Sequence, residues 1–200
     1  YRETLQSPQK LYGRAAAVEK LLKAFQKVAY GGRELFLVGG PAGVGKSSLI
    51  HEVHKPIVEK RGSFVIGKFD QYQRDIPYSA FLVAGESLLR HVLCEAEPAI
   101  TKWRSRLLAA LGEHGQVIVE VLPQIELIIG AQPKMPELPP LEARERFTAA
   151  LCRLFAAFAD SDHPLVLFLD DLQWIDSPSI DFLLRLLTDS QVRHLLVVGA

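Results

Sequence analysis

Apolar positions along the chain alternate between two periods. Val18, Leu21, Leu22, Phe25 and Val28 recur three and four residues apart and stop at Gly31-Gly32, which predicts a first amphipathic helix. Glu34–Val38 is short, apolar and followed by glycines, the pattern of a buried strand. A second helix is expected from Gly45 to about Arg61, carrying Leu49, Ile50, Val53, Ile57 and Val58, with Pro56 kinking or interrupting it. Phe64–Phe69 reads as a second strand.

From 71 to 140 the pattern changes to helical segments at Phe81–Leu93, Pro98–Leu111 and Gln116–Ile129, punctuated by Gly112, Pro123 and Gly130, and it reads as a helical insertion. Gln132–Pro140 holds Pro133, Pro136, Pro139 and Pro140, so an extended connector is expected there. A helix resumes over Leu141–Ala159, with Phe147, Leu151, Leu154, Phe155 and Phe158 on one face. Leu165–Leu169 is a third strand, Ser177–Leu187 another helix and Leu195–Val198 a fourth strand. Strands alternating with helices predict an α/β fold with a parallel sheet.

Composition narrows the class without deciding the chemistry. A chain of 200 residues that is 48% hydrophobic, with 23 basic against 23 acidic side chains, is expected to fold around one core as one domain or at most two. The longest apolar runs are strand-sized, so no membrane span is expected, and nothing near Tyr1 resembles a signal peptide. Tyr1 is not a translation start, so the sequence reads as cut from a longer chain. Cys94 and Cys152 each lie in an apolar stretch without a CxxC spacing and read as core thiols of a reducing, cytoplasmic compartment.

The balanced charge hides an asymmetry: residues 1–68 carry 12 basic and 5 acidic side chains, a net of +7, and residues 69–200 carry the compensating −7. The basic residues are spread over helix faces without interleaved aromatics, which suits a small phosphorylated ligand, and no nucleic acid partner is expected.

Gly40-Pro41-Ala42-Gly43-Val44-Gly45-Lys46-Ser47, followed by Ser48, satisfies GxxxxGK[ST] between an apolar strand and a predicted helix start. Glycines at this spacing let successive backbone N–H groups point at phosphate oxygens, and the helix dipole adds positive potential. In such a loop Lys46 reaches the β- and γ-phosphates and the Ser47 hydroxyl ligates Mg²⁺. Leu165–Leu169 then runs into Asp170 and Asp171. An apolar strand delivers Asp170 to the edge where α/β sheets bind ligands, suited to a Mg²⁺ shell, and Asp171 one residue later can activate a water. Two adjacent ionised carboxylates repel unless a cation lies between them. Ser177-Pro178 reads as a helix cap followed by Pro at the first helical position rather than as chemistry. His51-Glu52-Val53-His54 spaces its histidines three apart, not the four of HExxH, and reads as helix surface.

A phosphate loop with a strand ending in two acids resembles the P-loop ATPases that carry an additional catalytic acid. Leu11-Tyr-Gly-Arg14 is similar to the N-terminal hhGRE motif of the STAND-type ATPases, relatives of the AAA proteins, with Ala15 where that pattern has Glu. Along His54–Gly62, Gly67–Gln71, Ile76–Tyr78, Gly115–Ile118, Glu126–Gly130 and Asp170–Asp176 the chain resembles the ATPase module of bacterial multi-sensor hybrid kinases. In those proteins the module lies between a serine/threonine kinase-like domain and GAF and histidine-kinase domains. The resemblance implies a three-layer P-loop NTPase fold with sheet order 5-1-4-3-2, its fifth strand and sensor arginine beyond Ala200. It also implies that Arg14 belongs to the nucleotide site, on the adenine side. Arg146 and Arg153, on the helix before the Asp170 strand, could approach phosphate but suit a solvated face better.

The expected function is an ATP-binding, Mg²⁺-dependent, ATP-hydrolysing switch domain of a larger signal-transduction kinase. Its expected partners are ATP or ADP and the neighbouring kinase and sensor domains, with self-association left open. The alternative is an ATP-binding scaffold that hardly hydrolyses. A GTPase is disfavoured because its guanine-reading NKxD motif needs asparagine, which the chain lacks. A small-molecule kinase fits an adjacent acid pair less well than water activation does.

Overall fold

The computed structural model describes residues 15–40, 46–59, 61–72 and 76–200, with the side chains of 15 and 46–51 excepted. In chain order the elements are α1 (Ala15–Ala29), β1 (Arg33–Leu37), α2 (Lys46–Glu59), β2 (Ser63–Lys68), α3 (Ser79–Leu93), α4 (Glu97–Leu111), α5 (Gly115–Val121), α6 (Glu126–Ile129), α7 (Pro140–Phe158), β3 (Leu165–Asp170), α8 (Ser177–Thr188) and β4 (Leu195–Gly199). Short 3₁₀ turns occupy Gly112–His114, Pro123–Ile125 and Leu172–Trp174.

The strands form one parallel sheet in the order β1-β4-β3-β2, the 1-4-3-2 portion of the order implied by the resemblance. Both faces are covered. Leu21 and Phe25 of α1 and Val53 and Ile57 of α2 pack with Val166, Phe168, Leu196 and Val198. On the other face Phe81, Phe155 and Phe182 of α3, α7 and α8 pack with Leu165, Leu167, Leu169, Leu195 and Val197. Phe81 and Phe182 meet edge to face at 4.8 Å. Alternate residues of the two central strands thus enter different cores, which is why β3 and β4 are apolar at nearly every position.

Of the kink or interruption expected at Pro56, the interruption does not occur: α2 runs through it. A proline inside a helix costs about 3 kcal/mol. Val53 and Ile57 flank it, both 0% exposed, and each such burial contributes about 1.5–3 kcal/mol, enough together to hold the helix through it. The helical pattern over Gln116–Ile129, punctuated at Pro123, forms two short helices joined by a 3₁₀ turn. Leu122 precedes Pro123 and is kept out of the helical region (φ −132°, ψ 72°), which ends α5. Cys152 is buried, and that burial pushes its thiol up to about 12. Cys94 is exposed, contrary to the reading as a core thiol: it caps α3, where Leu89 and Val92 take the inward positions.

Beyond α3 the helices are fastened to the sheet layer by aromatic and ionic contacts. Trp103 of α4 stacks on Phe158 at 4.7 Å, and Arg106 lies over the Trp103 ring while pairing with Asp160. Gly67 lets α3 approach the sheet closely, since a Cβ there would overlap the Ala80 carbonyl oxygen. Gly67→Ala is therefore expected to destabilise the protein by about 1–3 kcal/mol through forced separation of α3 from β2. Urea unfolding with an unchanged midpoint would show that the helix yields freely.

Candidate functional site

The register brings the strand ends into line. Leu37, Gly199, Leu169 and Gly67 form one row across the sheet, and Asp170 pairs with Lys68 in the row above. Hydrogen bonds from Val38 N to Gly199 O (2.8 Å), Ala200 N to Leu169 O (3.0 Å) and Phe69 N to Asp170 O (3.1 Å) extend the ladder one step further. At this edge the chain leaves β1 through Gly39 and Gly40 and re-enters as α2 at Lys46. Strands lie about 4.8 Å apart, so Asp170 stands about 10 Å across from β1, with β4 between them.

Of the sequence-predicted loop, Gly40 lies at the exit of β1, while Pro41, Ala42, Gly43, Val44 and Gly45 lie outside the described residues, as does Arg14. Lys46, Ser47 and Ser48 form the first turn of α2, and only their backbone is described. The first N–H groups of a helix have no intrahelical acceptor and point out of its end. No acidic side chain occupies this first turn, so its positive potential is not offset from within the helix.

Asp170 closes β3, and its Oδ1 accepts a hydrogen bond from Asp171 N at 3.0 Å. Asp171 adopts a left-handed backbone (φ 58°, ψ 45°), a conformation that aspartate tolerates better than most residues, and this stops the strand. The following turn is pinned to the next strand by Leu172 N donating to Ala200 O at 2.9 Å. Gly199 makes room for it, because a Cβ at that position would overlap the Leu172 side chain. Thus a strand, a turn and a small residue on β4 together hold the Asp171 backbone.

Its carboxylate is held as well. Lys68 Nζ lies 3.4 Å from Asp171 Oδ2, and Gln173 Nε2 donates to Asp171 Oδ1 at 3.1 Å. Lys68 and Gln173 were not singled out in the sequence. The signal that could have found them is topological: residues ending neighbouring parallel strands share one edge, and a polar residue two after an acid can turn back to it.

Asp176, not Ser177, is the cap of α8, a one-residue correction. Its extended backbone lets Oδ1 accept from Ser179 N at 2.8 Å, and Ser177 is already helical. Asp176 Oδ2 accepts from Ser179 Oγ at 2.7 Å, and that buried oxygen accepts from Tyr78 N at 3.0 Å. The first turn of α8 is thereby linked to the start of α3. Arg146 and Arg153 do not line the strand ends. Arg146 donates to Pro136 O at 2.9 Å and Arg153 meets His114 Nδ1 at 3.0 Å, so both tie α7 to the segments before it. His54 is exposed, its ring edge-on to Phe64 at 5.0 Å, and the His51 side chain lies outside the described residues. A cleft of about 520 Å³ follows the outer edge of β2, lined among others by His54, Phe64, Ile66 and Arg90, with Asp170 at the carboxyl end.

A parallel sheet in 1-4-3-2 order, with an acid-bearing strand one removed from the strand that feeds a glycine loop and helix, is the P-loop NTPase fold. The family model of the AAA ATPase domain matches residues 10–198, and the chain belongs to that family. It is 39% identical over 180 residues to hybrid signal transduction histidine kinase G of Dictyostelium discoideum. That match covers 90% of this chain and 5% of the kinase, so the chain spans a small part of the relative's length. Among the described residues no helix is long and apolar enough to cross a membrane.

Proposed function

We propose that this chain is an ATP-driven switch domain of a larger cytoplasmic signal-transduction kinase, of the STAND type, reset by slow Mg²⁺-dependent hydrolysis. The observation that carries this reading is the shared edge: the exit of β1 at Gly40, the N-terminus of α2 and the Asp170–Asp171 pair all lie at the carboxyl ends of one parallel sheet.

In this reading Gly40–Ser48 wraps the phosphates, Lys46 contacts the β- and γ-phosphates, and Arg14 lies on the adenine side. Ser47 and Asp170 offer hard oxygen donors, the type Mg²⁺ takes, and Asp170 Oδ1 is oriented by the Asp171 N–H. Bound Mg²⁺ would neutralise charge on the β- and γ-phosphates. Asp171 accepts a proton from the attacking water as the water oxygen bonds to the γ-phosphorus; the bond to the β–γ bridging oxygen breaks, releasing ADP and phosphate. Residues 71–140, read as an insertion, would carry the nucleotide state to kinase and sensor domains of the same chain.

The second reading, an ATP-binding scaffold with negligible hydrolysis, draws on one observation: both oxygens of Asp171 are already engaged. Phosphate release from the full-length protein separates the two. The switch reading expects release with MgATP, its loss on adding EDTA and its return with excess Mg²⁺. Saturable ATP binding with no release under any of these conditions would leave the scaffold.

A further inference from the structure

We propose that the outer edge of β2 is a docking site for an extended segment of a partner protein, carrying apolar residues at alternate positions and a basic residue beside Glu95. β2 lies at one end of the sheet order and pairs with β3 alone. Ser63 N and Phe69 N donate to Pro164 O and Asp170 O, so the odd-numbered residues of β2 turn their backbone groups toward β3. Those of Phe64, Ile66 and Lys68 therefore point outward, and among the described residues they meet no partner.

The edge is also unguarded. Natural edge strands are commonly closed off by a bulge, a proline or a charged side chain. β2 keeps an unbroken register with β3, contains no proline, and turns its one lysine to Asp171 at 3.4 Å. Two clefts of about 520 and 500 Å³ run along it and share His54 and Phe64. Val58, Ile66 and Val83, each about half exposed, give them apolar surface.

The walls decide what can enter. His54 of α2 stands on one side and Val83, Glu86 and Arg90 of α3 on the other. A helix is about 10 Å across, whereas paired strands lie about 4.8 Å apart, so a second copy would meet these helices with its own before its β2 came within pairing distance. A bare strand fits, gaining backbone hydrogen bonds from the edge and apolar contacts at every second residue. Charge sets its ends. Arg90 pairs with Glu86 at 3.0 Å, while Glu95, which lines the same cleft as Ser63, has no cation among the described residues. At the other end Asp170 is given to Mg²⁺ in the proposed reading, so the basic residue belongs beside Glu95. Docking here needs no hydrolysis and stands apart from the water-activating reading of Asp171.

The test uses the full-length protein and a fluorescent peptide of alternating threonine and valine with a lysine at each end, followed by anisotropy. Saturable binding is expected. Ile66→Pro should weaken it about ten-fold or more, because proline removes an outward N–H and leaves that group's acceptor on the peptide unpaired. The β2–β3 ladder uses the N–H groups of Val65 and Gly67 and should survive the change. Ile66→Val, which keeps the N–H and the branched side chain, should bind within about four-fold of the native protein. Glu95→Gln should weaken binding about two- to five-fold, the scale of an exposed ion pair. When the peptide binds the native protein, amide hydrogen exchange should slow at Phe64, Ile66 and Lys68 and stay unchanged at Val65 and Gly67. That alternation is read without any substitution, so it decides the matter even if Ile66→Pro fails to fold. No saturable binding, native affinity in a folded Ile66→Pro, or protection without alternation would overturn the proposal. Slow exchange at the three outward amides before peptide is added would overturn it too, showing the edge already covered by the protein's own chain or by a second copy.

Discussion

Asp171→Asn is expected to slow phosphate release by about 10²–10⁴-fold while leaving ATP affinity within a factor of two. Asparagine matches aspartate in shape and keeps an oxygen for Gln173, so the left-handed turn and the bond from Leu172 to Ala200 should persist. What it removes is a basic oxygen able to take a proton. The lost ion pair with Lys68 is half open to water and should change stability by less than about 1 kcal/mol. A single-turnover measurement at saturating MgATP isolates the effect from binding, and a native rate there would remove Asp171 from the chemistry. Asp170→Asn is expected to behave differently, weakening Mg²⁺-dependent binding as well as rate, because the proposed reading gives that carboxylate to the metal rather than to the water.

Lys46→Ala is expected to weaken ATP binding by about 10–100-fold without lowering the melting temperature of the nucleotide-free protein. A hydrogen bond to a charged group contributes about 1.5–3 kcal/mol, which sets that range. Folding should not suffer, for two reasons. Lys46 begins α2, where a cation opposes the helix dipole, so its removal relieves a small penalty. Alanine is also the best helix former. Titration calorimetry with MgATP and a thermal melt without nucleotide check both halves. Unchanged affinity would refute the phosphate-loop assignment, and a large drop in melting temperature would show that the residue serves the fold.

Much of the architecture was legible from local pattern. β3 and β4 were readable because burial on both faces leaves an uninterrupted apolar run, and glycines or acids mark where each run stops. α1 and α7 were readable because each has one buried face. Reading failed where a local rule competed with packing. Pro56 looks like a breaker until Val53 and Ile57 are seen buried beside it. Cys94 stands among apolar neighbours in the sequence, yet a helix directs neighbours to different sides, and its own side is outward. At the cap of α8, Asp176 and Ser177 are both competent acceptors, and the extended backbone of Asp176 selects it.

By itself the sequence determined the strand and helix alternation, the glycine loop before a helix and the pair of acids after a strand, because each is a property of neighbours along the chain. The tertiary structure alone decided that Lys68, more than a hundred positions away, answers the charge of Asp171. It also decided that Gly199 vacates the space Leu172 fills and that Ser179 ties the first turn of α8 to Tyr78. Parallel strands are joined by long crossovers, so which residues meet at their common edge depends on strand order and register. Neither can be read from the spacing of residues along one strand.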